Sequence, residues 1–162
     1  MNSFPNYMIR VEDRKGAVDL HFIVLLSAKK NAIPLVLLHG WYGWPGSFLE
    51  FLPKLELFRE KYDAYALPFH IIVPLLPGYT LSSKSPQDNA WIAEDAARTI
   101  NTGMSMLNVD QYVVQGGDVG CLVAGILVSQ HPSMVGIHCQ YLFNLSYQLK
   151  MLKSSGESSS FP

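Results

Sequence analysis

The segment richest in chemistry is Tyr112-Val113-Val114-Gln115-Gly116-Gly117-Asp118-Val119-Gly120. An apolar run meets an acid flanked by glycines, and a second apolar run, Val119–Gln130, follows. This is the pattern of a sharp strand-to-helix turn, an elbow that lifts one side chain above a sheet. Such a turn is crowded and needs small neighbours, which Gly116 and Gly120 supply. The usual occupant is a serine, which needs a base before it can attack; Asp118 is already an anion at neutral pH. A carboxylate can form a covalent ester. Its natural electrophile is an sp³ carbon with a strained or good leaving group, such as an epoxide or a haloalkane. The positive end of the following helix favours that anion. On this segment alone a plainer role, in which Asp118 only caps the helix, stands level with the chemical one.

The second informative segment is Leu37-Leu38-His39-Gly40-Trp41-Tyr42-Gly43-Trp44-Pro45-Gly46-Ser47-Phe48. Where an elbow residue attacks, a loop after an early strand donates one backbone N–H to the developing oxyanion, and the residue after the nucleophile donates the other. Gly40 and Gly46 let such a loop turn tightly. His39 reads as a structural histidine that hydrogen-bonds the loop, not as a base.

The elements that must position these groups follow from periodicity. Val18–Ser27, Ile33–Leu38, Phe69–Val73, Tyr112–Gln115 and Met134–Gln140 read as strands, several of them short continuous apolar runs suited to burial on both faces. Ser47 and Glu50 form a capping box that opens a helix with Phe48, Phe51, Leu52, Leu55 and Phe58 at helical spacing. Pro53 inside that pattern should kink or restart it. Asp88 or Asn89 caps a helix whose inner face is Ile92, Ala96, Ile100, Met104 and Leu107. Alternating strands and helices predict an α/β fold with a mostly parallel sheet and flanking helices. Residues 154–162, rich in serine, read as a disordered tail.

Composition agrees with a compact domain. The 162 residues are 49% apolar and 15% charged, which excludes a disordered chain. A net charge of −1 leaves no electrostatic footprint for nucleic acid. The longest apolar run, Cys121–Val128, is too short to span a membrane, and the first ten residues lack the apolar core of a signal peptide. A soluble, cytoplasmic protein is expected. In that setting Cys121 and Cys139 read as two reduced, buried thiols. The five histidines are scattered, with no metal-ligand pattern.

Taken together and in order, three blocks resemble the N-terminal half of the core of microsomal-type (fungal-like) epoxide hydrolases in the α/β-hydrolase fold. They are His39-Gly40 with Trp44-Pro45-Gly46-Ser47-Phe48-Leu49-Glu50-Phe51-Leu52-Pro53; Leu67-Pro68-Phe69-His70-Ile71-Ile72-Val73-Pro74 continuing through Leu76-Pro77-Gly78-Tyr79 and Ser82-Ser83; and Gln115-Gly116-Gly117-Asp118-Val119-Gly120. The resemblance spans about Val11 to His138 and divides the chain into a partial core, 11–140, and a divergent segment, 141–162. It implies that Asp118 opens a small-molecule epoxide to a vicinal diol through an aspartyl ester, with no cofactor or metal. It implies an oxyanion hole from the backbone of Val119 and of the motif tryptophan. Three extra residues interrupt that motif here, so Trp44 is the first choice and Trp41 the alternative. Tyr79 would border the substrate channel or serve as a packing aromatic.

The family's remaining parts, an acid, a histidine and a lid with proton-donating tyrosines, follow the nucleophile. Only residues 119–162 do so here. Neither His131 nor His138 is expected to act as the base. Independent turnover is therefore not expected, and a non-catalytic remnant with an apolar sheet edge open to self-association is the competing reading. A haloalkane dehalogenase fits the motifs less well.

Overall fold

The computed structural model describes residues 3–40, 49–83 and 91–140. Six strands, β1 (Asn6–Val11), β2 (Val18–Leu25), β3 (Ile33–Leu38), β4 (Phe69–Pro74), β5 (Tyr112–Gly116) and β6 (Met134–Cys139), form one sheet in the order β1-β2-β4-β3-β5-β6. The pairs β4/β3, β3/β5 and β5/β6 are parallel, while β1/β2 and β2/β4 are antiparallel. The sheet is thus mixed, with a parallel half that carries the elbow.

Strand side chains alternate between two cores, which is why these runs read as continuously apolar. Phe22, Val24, Val36, Leu38, Ile72 and Val114 join one core with Ala97, Ile100 and Met104 of α2 (Ala93–Met106) and Val123 and Leu127 of α3 (Val119–Gln130). Ile23, Leu37, Ile71 and Val73 face the other way, onto Phe51 and onto Leu55 of α1 (Leu52–Lys61). Helices therefore cover both faces of the sheet, the architecture that the alternation of elements predicts.

Four local outcomes refine or correct the sequence reading. Pro53 restarts the helix: a short 3₁₀ turn, Leu49–Phe51, precedes α1, and Pro53 lies in its first turn, where no backbone N–H is needed. Ile92 does not join the inner face of α2; it is the residue before the helix and is 52% exposed. Its N–H instead donates to the Asp95 carboxylate at 2.9 Å. Strand β1 was not anticipated, because Asn6 and Arg10 interrupt its apolar residues and Tyr7 and Met8 face solvent at a sheet edge. Finally, Cys121 and Cys139 are joined as a disulfide, with Cα atoms 5.3 Å apart, and are not two free thiols. Residues 18 apart in sequence are neighbours here because α3 returns the chain to the parallel strand β6. The expected Ser47–Glu50 capping box, the Asp88 or Asn89 cap and the serine-rich tail involve residues outside those described.

Candidate active site

Three segments converge at the carboxyl ends of the parallel strands: Leu38-His39-Gly40 after β3, Leu75–Tyr79 after β4, and Gly116–Gly120 between β5 and α3. The convergence depends on missing side chains. A Cβ on Gly116 would come within 3.0 Å of the Gly120 carbonyl, and one on Gly120 would press as closely on the carbonyl oxygens of Leu38 and His39. Backbone atoms on both sides leave nothing free to move aside.

Asp118 sits at the apex with φ 52° and ψ −120°. This is a conformation that non-glycine residues adopt only when their surroundings impose it, at a cost of about 1–3 kcal/mol. Its main-chain carbonyl accepts from the N–H groups of Cys121 (3.0 Å) and Leu122 (3.3 Å), which starts α3. Its carboxylate makes no capping hydrogen bond to the helix. The side chain leans instead over Gly40, where an added Cβ would lie 3.2 Å from Oδ2. Among the described residues the Val119 N–H, the first of the helix, meets no acceptor.

His39 is fully buried and uses both ring nitrogens. Nε2 accepts the Leu76 N–H at 3.0 Å, so the proton belongs on Nδ1, which donates to the Gly40 carbonyl at 3.0 Å. Burial pushes its pKa below the usual histidine range, against a smaller opposing effect of the Gly40 bond. A neutral histidine with both nitrogens engaged is a brace between two loops, as the sequence suggested. Tyr79 packs its ring edge-on to His39, with centroids 4.7 Å apart. Its phenol pKa is raised, first by burial and then by the negative charge of Asp118. Tyr79 therefore lies within electrostatic reach of Asp118 while also packing against both cores.

The other histidines lie elsewhere. His131 follows the last residue of α3, at the far end of a helix of 12 residues or about 18 Å from the elbow. His138 is exposed on β6, the last strand of the sheet among the described residues, in register with Gln115. Trp44 and Trp41 fall outside the described residues. Asp118, Val119 and Tyr79 are thus brought together with Gly40 and His39. The part played by the Leu76 N–H was not readable, because a backbone donor leaves no mark on the residue type. No group of three or more His, Cys, Asp or Glu residues suited to a metal ion occurs among the described residues, and no helix among them is long and apolar enough to cross a membrane.

A mixed sheet whose parallel half carries an acid on a strained turn between strand and helix, braced against the loop of a neighbouring strand, defines an α/β-hydrolase core. The family model for the alpha/beta hydrolase fold matches residues 33–136, and that for the epoxide hydrolase N terminus matches residues 1–51. The chain belongs to the alpha/beta hydrolase fold family, and within that family it is similar to epoxide hydrolases. The family signal begins at residue 1, earlier than the motifs near Val11 suggested. The epoxide hydrolase of Aspergillus niger is 41% identical and superposes with a TM-score of 0.79 over 87% of this chain and 35% of its own. The juvenile hormone epoxide hydrolase of the silkworm Bombyx mori is 30% identical, with a TM-score of 0.68, over 85% of this chain and 35% of its own. A relative from Dothistroma septosporum is 40% identical over 121 residues, 74% of this chain and 28% of that protein. The chain spans about a third of the length of the relatives it matches.

Proposed function

We propose that Asp118 is the nucleophile of an epoxide-opening reaction. Its carboxylate attacks an epoxide carbon, the carbon–oxygen bond breaks, and the ring oxygen takes up a proton. The result is a hydroxyalkyl ester of Asp118. Water attack on the ester carbonyl generates an oxyanion; the Val119 N–H, with the backbone N–H of Trp44 or alternatively Trp41, would hold it, and collapse releases a vicinal diol. Tyr79 borders the substrate channel on the Asp118 side. The observation that carries this reading is the strained Asp118 backbone combined with a carboxylate that does not cap its own helix. A residue that only capped would need neither feature.

The hydrolytic half-reaction needs a base. Among the described residues His39 is fully engaged, His131 is a helix length away and His138 stands on an exposed edge strand. This favours a second reading: alone, the chain is alkylated once and stalls, behaving as a non-catalytic remnant. The exposed Val135 (55%) and Ile137 (43%) on edge strand β6 support self-association as part of that reading. The division into a partial core, 11–140, and a divergent 141–162, and a soluble cytoplasmic setting, belong to the same proposal.

Purified protein incubated with styrene oxide separates the two readings. Repeated diol production that Asp118→Asn abolishes supports an autonomous enzyme, whereas one equivalent of bound substrate without diol supports the stalled chain. Chloride release from a chloroalkane without epoxide opening would move the assignment to a haloalkane dehalogenase.

A further inference from the structure

Cys121 is the third residue of α3 and Cys139 the last of β6. Their bond joins the two segments that flank the elbow. On one side, Cys121 follows Gly120, whose backbone packs on the end of β3, and its own N–H binds the Asp118 carbonyl at 3.0 Å. On the other, Cys139 is in register with Gly116, and the next residue, Gln140, donates its N–H to the Gly116 carbonyl at 3.0 Å. Among the described residues strand β6 has a sheet neighbour on one side only, β5, and its ladder is irregular between Tyr112 and Val113. The disulfide is therefore a covalent tie between β6 and the helix that starts at Asp118.

The two sulfurs differ in access. Cys121 is 2% exposed, whereas Cys139 is only half-buried. A reagent from solvent can reach Cys139 first. We infer that Cys121 and Cys139 form a redox-modification site, in which Cys139 is the entry thiol and Cys121 the resolving thiol, and whose state sets how firmly β6 is held against the elbow. The partner is a low-molecular-weight disulfide of the glutathione type. The Cys139 thiolate attacks one sulfur of glutathione disulfide, giving a mixed disulfide and one glutathione thiolate. Cys121 then attacks Cys139 Sγ, the internal bond forms, and a second glutathione leaves. The protein loses two electrons and two protons, and one glutathione disulfide becomes two glutathione thiols. Reduction runs the same steps backwards, again beginning at Cys139.

The test uses the full chain and does not depend on catalysis. Protein equilibrated in buffers of fixed glutathione ratio is quenched with acid, alkylated and weighed. Two alkylated thiols at the reducing end and none at the oxidising end are expected. Closing a loop between cysteines 18 apart should raise the Tm of the oxidised form by about 10 °C. Amide exchange should slow on oxidation in 134–140 and 116–121 but not in β2. In oxidising buffer Cys121→Ser should trap glutathione on Cys139, while Cys139→Ser should leave Cys121 unmodified. Two free thiols in the oxidising buffer, a Tm independent of redox state, or glutathione trapped equally on both single variants would each overturn the proposal. The first two readouts need only the unmodified protein, so a variant that fails to fold does not blunt them.

Discussion

Asp95 offers a quantitative test of how the helical layer is fastened to the sheet. Its side chain has no exposed surface and lies in the first turn of α2. Burial pushes the carboxyl up, but hydrogen bonds from Lys15 Nζ (2.6 Å), the Ile92 N–H (2.9 Å) and Arg98 (2.7 Å) outweigh it and hold the pKa at about 2, below the ordinary 3.8. Arg98 also binds Asp13 through two nitrogens, at 2.6 and 2.9 Å, so the network ties the β1–β2 turn to α2. A carboxyl with a lower pKa in the folded state binds fewer protons folded than unfolded. Its stabilisation is fully present above the unfolded value and is lost as pH falls through the folded one. The gap from 3.8 to about 2 corresponds to roughly 2.4 kcal/mol at neutral pH. Asp95→Asn should cost at least that much at pH 7, because Lys15 and Arg98 also lose a counter-charge. The cost should shrink steadily between about pH 4 and 2. Asp13, held low chiefly by Arg98, stays in both proteins and keeps part of the acid sensitivity. Urea unfolding of both proteins at pH 7, 5, 3.5 and 2.5 is the assay. A stability difference that stays constant across that range would refute the reasoning.

Two further outcomes concern the site. Gly120→Ala, which drives a methyl into the Leu38 and His39 carbonyls, should lose about 3 kcal/mol or fail to fold, whereas Gly117→Ala, with nothing within 4 Å and an ordinary backbone, should change stability by less than about 0.5 kcal/mol in urea unfolding. Equal effects at both glycines would show that the elbow is not packed as described. His39 should carry its proton on Nδ1 in long-range nitrogen NMR spectra and become an imidazolium only at a lower pH than an unfolded histidine, and stability should fall as pH drops below the unfolded value of 6.5, since burial depresses the folded one; a proton on Nε2 at neutral pH, or titration at or above 6.5, contradicts the brace.

Strands buried on both faces were readable because each is a short apolar run between turn residues, and Ile33–Leu38 matches its observed bounds. The edge strand β1 was not, because a strand that faces solvent keeps its polar residues and loses the pattern. The elbow was legible through Gly116 and Gly120, since close backbone approach has a sequence mark. The brace by His39 was legible only in part, as the histidine is visible but its Leu76 partner is a main-chain group. The disulfide was misread for a reason of topology. Composition and two isolated cysteines suggest reduced thiols, while the pairing arises only when a helix and a parallel strand bring residues 18 apart together.

The central claim is that Asp118 is poised to form an ester. Full-length protein is incubated with styrene oxide, quenched in acid, digested and analysed by mass spectrometry. A single base-labile adduct, heavier by one styrene oxide, is predicted on the peptide that carries Asp118 and should be absent from Asp118→Asn. An unmodified peptide in the unaltered protein, or an adduct that persists in Asp118→Asn, would contradict the account.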